Sequence, residues 1–323
     1  MDDSQKVNAD RYLAPETLAQ IAPFEMRAKM IVEGVMNGMH RSPFKGLAVE
    51  FAEHRQYVPG DEIRHLDWKV YGRTDKLYLK QYQQETNLDT ILLVDSSGSM
   101  GYGSLDSKKG WGGTAAGSRL SRWTKYDHAT AVSAALSHLC LQQRDRIGAG
   151  IFSDGLHTDI RRSNRREQWR AIINTLGNHD TKGATNYVRV ADQAVSKTDN
   201  RSLFFMISDF LCDHGELKEM LSRFKHHGHD LVLVQVLDRT ELTFDLDTPA
   251  PFIGMEGEDR VNVDPRSLRS TYLDVLREQL EGTRDLVRAY GFDHQLLDTH
   301  DSIGPPLARL LARRESHVGK RGG

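Results

Sequence analysis

The chain has 323 residues, which suffices for a buried core without disulfide support and suggests about two domains, or one large domain with an appended piece. Lys plus Arg number 43 and Asp plus Glu 45, a formal charge of −2 at pH 7, which excludes the basic surface that general nucleic-acid or polyanion binding requires. With 38% hydrophobic and 27% charged residues, and no apolar run near the ~18 residues of a membrane helix, the composition points to a soluble globular chain with no membrane span. The opening residues, MDDSQKVNADRYLAPETL, lack the apolar stretch of a signal peptide. Two isolated cysteines, Cys140 and Cys212, fit a reducing compartment and exclude a disulfide or multi-cysteine zinc framework. A cytoplasmic location is the expectation.

In chain order, Pro15 and the spacing of Met26, Met30 and Val35 predict a helix over 15–39, within an N-terminal helical segment 1–43. Leu47, Val49 and Phe51 alternate with polar residues as in a half-buried strand. Tyr57 to Asp61 reads as a turn, and His65–Val70 and Lys76–Tyr82 as two further strands, making 44–88 a small antiparallel β unit. From 89 to 315 strands and helices alternate. Ile91–Val94, Ile147–Phe152, Leu203–Ile207 and Leu231–Leu237 are short apolar runs of the kind found in central parallel strands. Helices are expected over 125–143, 165–176, 187–197, from Asp213 and Glu216 to Lys225, from Asp264-Pro265 to Tyr290, and over 306–313. His157–Ile160 is a hairpin partner for the second strand, Phe292–Leu297 is a late strand, and 316–323 is a frayed tail. The fold class is therefore α/β, a mostly parallel, Rossmann-like sheet with helices on both faces. In such a sheet the ligand site lies beyond the carboxyl ends of the strands. The Gly- and Ser-rich segment Gly101–Gly117 reads as a mobile loop over that face.

Three stretches deliver oxygen atoms to the same sheet edge. The first strand runs into Asp95-Ser96-Ser97-Gly98-Ser99, the loop Lys182–Asn186 carries Thr185, and the strand 203–207 runs into Ser208-Asp209. Hard divalent cations choose oxygen ligands, so Asp95 and Asp209 would balance charge while the hydroxyls of Ser97, Ser99 and Thr185 serve as neutral ligands, directly or through water. With so few carboxylates the metal stays electrophilic and can accept a carboxylate from a partner. Mg2+ is the expected cation, with Mn2+ or Ca2+ as alternatives. Each piece alone also reads as turn or cap chemistry; the specificity lies in the combination.

Other motifs have simpler explanations. In YVPGDEIRHLDW, Pro59-Gly60 makes a turn, Asp61, Arg64 and Asp67 can form a local ion-pair and capping network, and Trp68 reads as a buried anchor. Lys225-His226-His227-Gly228-His229 reads as a helix C-terminus with Gly228 as the stop. Cys140 reads as a small core residue, and Cys212 has no obvious base beside it, although His214 is close in sequence. Ser96-Ser97-Gly98-Ser99 is not a nucleophile elbow, and the chain has no G-x-x-x-x-G-K-[ST] phosphate loop.

DSSGSM after ILLV, then KGATNY, then MISDF, resembles the metal-ion-dependent adhesion site of the von Willebrand factor A domain. More closely, YVPGDEIRHLDWKVYGRTDKLYLKQYQQE, DSSGSM, RDRIGAGIFSD, FFMISDF and HDLVLVQVLDRTE resemble the bacterial family known as domain of unknown function 58, over most of the chain from about residue 44. The resemblance implies a von Willebrand factor A-like fold. It maps the five metal positions onto Asp95, Ser97, Ser99, Thr185 and Asp209, with direct serine ligation and the aspartates and threonine acting partly through water. It also implies an adaptor rather than an enzyme, partnered by a MoxR-type AAA+ ATPase in chaperone-like maturation of a client protein. The loop Gly101–Gly117 is longer than usual for the family. The competing expectation is a metal-dependent hydrolase of phosphate esters, for which Lys182 is the nearest available cation.

Overall fold

The computed structural model describes residues 50–57, 67–83, 89–106, 122–246, 250–257 and 259–319. The chain divides into two compact units, one within Glu33–Asn87 and one containing Leu88–Gly323. The expected helix over 15–39, the turn Pro59-Gly60 and most of the segment 101–117 lie outside the described residues.

In the smaller unit, β1 (Glu50–Gln56) pairs antiparallel with β2 (Tyr78–Gln83), with Gln56 opposite Tyr78. Between them lies α1 (Trp68–Thr74), a helix where a strand over His65–Val70 was expected. The reason is local. The Asp67 carboxylate accepts from the amides of Lys69 (3.0 Å) and Val70 (3.3 Å), and this N-cap outweighs the alternating pattern. Trp68 is 62% exposed, so it is not the buried anchor its sequence context suggested.

The larger unit opens with β3 (Asp89–Asp95), a 3-10 turn (Ser99–Gly101), and the short pair β4 (Leu105–Asp106) and β5 (Arg122–Trp123), which brackets the Gly-rich segment. Then follow α2 (Lys125–Gln142), β6 (Arg146–Phe152), β7 (Leu156–Ser163), α3 (Gln168–Gly177), α4 (Tyr187–Ser196) and β8 (Leu203–Ser208). The chain continues through α5 (His214–His226), β9 (Asp230–Leu237), α6 (Arg239–Thr243), the hairpin β10 (Ala250–Phe252) and β11 (Val261–Val263), α7 (Pro265–Ala289), β12 (Asp293–Asp298) and α8 (Gly304–Gly319). The helix α8 runs past the expected stop at Arg313 and into the segment expected to fray.

The six-stranded sheet has the order β12-β9-β8-β3-β6-β7, parallel throughout except for β7, which returns antiparallel on β6. The chain winds outward from β3 in one direction and then restarts on its other side at β8, so the topological switch lies between β3 and β8. Alternation along the strands divides the core in two. Leu92, Val94, Phe205 and Ile207 pack with Val132 and Leu136 of α2, while Leu93, Phe204 and Met206 pack with Val190 of α4 and Leu221 and Phe224 of α5. Each fully buried Leu, Ile or Phe contributes about 1.5–3 kcal/mol, so the central strands are rigid supports for whatever their ends carry. This is the expected α/β architecture, a mostly parallel sheet with helices on both faces. Among the described residues no helix is long and apolar enough to cross a membrane.

Candidate metal centre

The turn after β3 is clamped on two sides. The Ser96 amide and hydroxyl both donate to the Phe152 carbonyl at the end of β6 (2.7 and 2.9 Å). The loop before α4 is then laced onto the turn by Lys182 N–H to the Ser96 carbonyl and Gly98 N–H to the Gly183 carbonyl, both 2.8 Å. This lacing carries Thr185 to Asp95, where its hydroxyl lies 3.2 Å from Oδ1 and 3.1 Å from Oδ2. Thr185 is free for this contact because the cap of α4 is its neighbour: the Asn186 side chain accepts from the Arg189 amide at 2.9 Å. A second cap on α4 comes from α5, where Glu216 accepts from the Tyr187 amide (2.8 Å) rather than closing a capping box with Asp213.

Four of the five expected residues gather around this turn. Asp95 accepts from the Ser97 amide (2.8 Å), and the Ser97 and Ser99 hydroxyls lie 3.1 Å apart. Asp209, at the end of β8, faces the same edge but is engaged otherwise: its Oδ2 accepts from Lys125 Nζ at 2.9 Å, and Lys125 also donates to Glu241 at 2.8 Å. The Gln235 amide of β9 holds the Asp209 carbonyl at 2.7 Å. The next residue, Phe210, is fully buried with φ 49°, a left-handed conformation held by stacking on the Tyr187 ring at 5.4 Å.

Lys125, Ser208 and Glu241 complete the arrangement without having been expected as site residues. Ser208 donates to Asp95 Oδ2 at 2.6 Å and is itself in contact with the Tyr187 hydroxyl at 2.7 Å. Its position beside Asp209 was a usable signal. Lys125 is fully buried at the start of α2, a place where sequence pattern alone predicts an exposed cation. Glu241 lies on α6, where the Asp238…Glu241 capping spacing hides its second contact.

The electrostatics show which charges are balanced. Burial pushes the Asp95 carboxyl up to about 7, and the neighbouring Asp209 charge adds to it, against hydrogen bonds from Ser208 and Ser97. Burial alone would drive Lys125 toward its neutral form, but Asp209 and Glu241 outweigh it and hold the ammonium charged. Two carboxylates, Asp209 and Glu241, share the one ammonium, and Asp95 beside them receives only neutral hydroxyl and amide donors. Burial, with the charges of Glu216 and Asp209, pushes the Cys212 thiol up to about 12, which favours the protonated thiol over the thiolate.

These residues fit a hard dication. The hydroxyls of Ser97, Ser99 and Thr185 keep lone pairs for a cation, Asp95 supplies the under-compensated charge, and Asp209, tied to Lys125, suits a contact through water. Among the described residues no group of three or more His, Cys, Asp or Glu side chains gathers into a metal site, so the candidate set depends on hydroxyls.

A doubly wound α/β sheet with hydroxyl and carboxylate oxygens at its switch point defines the class of this protein. The family model described as "Protein of unknown function DUF58" matches residues 53–282, and the chain belongs to that family. Rv1480 of Mycobacterium tuberculosis (strain ATCC 25618 / H37Rv) and Mb1516 of Mycobacterium bovis, both uncharacterized, are each 26% identical over 227 residues, covering 69% of this chain and 66% of their own length. Among solved structures, the conserved hypothetical protein BatB from Bacteroides thetaiotaomicron is 12% identical over 72% of this chain and 99% of its own, with a TM-score of 0.44. An aerotolerance-related membrane protein from Bacteroides fragilis is 11% identical over 70% and 99%, with a TM-score of 0.43. The SpRpn10 VWA domain is 11% identical over 71% and 95%, with a TM-score of 0.36.

Proposed function

We propose that the protein is a non-enzymatic, Mg2+-dependent interaction module, with Asp95, Ser97, Ser99, Thr185 and Asp209 as a site of the metal-ion-dependent adhesion type. Mn2+ or Ca2+ could take the same place. The observation that supports this most is the Asp95 carboxyl, buried among hydroxyls with its charge uncompensated while the nearest ammonium is spent on Asp209 and Glu241. A bound dication would supply that compensation and present an electrophilic position to a carboxylate of a partner. The chain's own residues would orient the cation: the 96–98 turn by its ties to β6 and the 182–183 loop, Asp209 by Gln235 and Lys125.

Binding is favoured over phosphate-ester hydrolysis because Lys125 is held charged by two carboxylates and so is no general base. From the family resemblance, the partner is a MoxR-type AAA+ ATPase acting with a client protein in chaperone-like maturation, in the cytoplasm. The purified MoxR-type ATPase of the same genome should bind the wild-type chain in Mg2+ and lose it in EDTA, and Asp95→Ala and Asp209→Ala should not bind. Equal affinity in EDTA and in both variants would end this reading.

A further inference from the structure

The strand β7 leads into a strongly basic corner that the overall charge hides. The stretch from Arg161 to Arg170, RRSNRREQWR, holds five arginines and one glutamate, in a chain whose formal charge is −2. The parallel strands end at the metal edge; β7 runs antiparallel to them, so this corner lies at the opposite end of the sheet. Arg161, Arg165, Arg166 and Arg170 are exposed. The side chains of the first three make no ion pair or hydrogen bond among the described residues, and the Arg170 guanidinium lies over the Trp169 ring at 5.3 Å. Arg162 is half-buried and anchors the corner. Its Cγ lies 3.0 Å from where a Cβ on Gly148 would be, and its guanidinium pairs with Asp89 of β3 at 3.3 Å. Arg146 also pairs with Asp89 at 3.3 Å, so two cations share one acid. Beside the arginines is a cavity of about 310 Å³, between α4 and the β6–β7 pair. Its floor is apolar, with Ile91 and Leu156 half-buried above Phe204. Its rim is basic: Arg146, Arg161, Arg162 and Lys197, the last paired with Asp159 at 3.2 Å.

We propose that this corner docks an acidic segment of a partner protein, with its carboxylates on Arg161, Arg165 and Arg166 and one apolar side chain in the cavity. It is a second surface, independent of the metal site. Guanidinium groups match carboxylates in parallel pairs of hydrogen bonds, and these three have no acid of the described chain to displace. The cavity lies at the small end of the range for ligand pockets, with room for one side chain beside a charged rim. The strand β7 is at the edge of the sheet, paired among the described residues with β6 alone, so an extended segment can lie along it and reach both the arginines and the cavity. A nucleic acid fits less well: Asp159 and Glu167 interrupt the basic surface and the whole chain is net negative, which opposes a continuous polyphosphate. A membrane also fits less well, since none of the exposed large hydrophobic side chains among the described residues lies between Leu156 and Arg170.

The test is fluorescence anisotropy of the full chain with a fluorescein-labelled peptide of glutamates around one central leucine, in EDTA so that no cation recruits the peptide. Wild type should bind it. The triple variant Arg161→Glu/Arg165→Glu/Arg166→Glu, three exposed substitutions that leave the Arg162–Asp89 pair in place, should lose about tenfold or more in affinity. Replacing the peptide's leucine by glycine should cost about tenfold again, and the methyl resonances of Ile91 and Leu156 should shift with the leucine peptide and far less with the glycine one. No binding by wild type, equal affinity in the triple variant, or binding that leaves both methyls unmoved would overturn the proposal. So would tighter binding of polyuridylate or of phosphatidylserine vesicles, which would make the corner a phosphate-binding surface instead.

Discussion

Two buried aspartates stand at the carboxyl edge of the same sheet and are treated in opposite ways. Asp238 follows β9 and is fully buried, yet its carboxylate accepts from the Ser104 amide and hydroxyl, the Thr240 amide and hydroxyl, and the Thr299 hydroxyl. Burial pushes it up, but those bonds from Ser104 and Thr240 outweigh burial and hold the carboxyl at about 2. Asp95 ends β3, is equally buried, and also receives hydroxyl and amide donors, but burial and the Asp209 charge lift it to about 7. The difference is the second carboxylate. Asp238 is an anion fully supplied with dipoles and needs nothing more; Asp95 is one of several like charges that hydrogen bonds alone do not compensate. A group left in that state points to a functional site, because folding by itself gains nothing from it.

The largest effect should come from the cation that makes the Asp95 end tolerable. Lys125→Met leaves Asp209 and Glu241 buried without their ammonium and should cost roughly 3–5 kcal/mol, read from urea unfolding midpoints. A cost near zero would mean that the triad contributes little and that the contrast is overdrawn. Next, Asp238→Asn should cost roughly 2–4 kcal/mol by unpairing charge-assisted bonds. Its native carboxyl lies below the unfolded value of about 3.9, so the stability it contributes is present above about pH 4 and lost as pH falls toward about 2. Asp238→Asn should therefore flatten the acid limb of the melting profile.

The smallest effect has the opposite sign. In EDTA, the raised Asp95 carboxyl keeps its proton in the native state between about pH 4 and about pH 7 while the unfolded chain releases it, so stability should fall as pH rises through that window. Asp95→Asn removes that fall and, above pH 7, should stabilise the metal-free chain by about 1–2 kcal/mol. Thermal melts of both proteins across the window decide it, and a destabilised Asp95→Asn at pH 8 would remove the distinction between the two aspartates.

Much of this was legible in the amino-acid order. The strands β3, β8 and β9 are buried on both faces, which writes them as apolar runs broken only by Gln235 in β9, and the residues that end β3 and β8 follow directly from where those runs stop. Thr185 was legible as a hydroxyl in the loop before α4, where it also read as a cap; the structure gives that cap to Asn186. What escaped depended on contacts distant in sequence. The helix α1 replaced a strand because one aspartate captured two amides. Glu216 caps the neighbouring helix, not its own. Lys125 and Glu241 carry no pattern that marks them as buried partners, and the hairpin 250–263 has neither the length nor the periodicity to announce that Glu256 accepts the Ser99 amide proton.

The most direct test of the central claim is calorimetric titration of Mg2+ into the metal-free chain near pH 7.5. The account predicts one divalent cation per wild-type chain and no binding heat for Asp95→Ala, with Asp238→Asn, if folded, still binding. Absence of binding by wild type, or undiminished binding by Asp95→Ala, would contradict it.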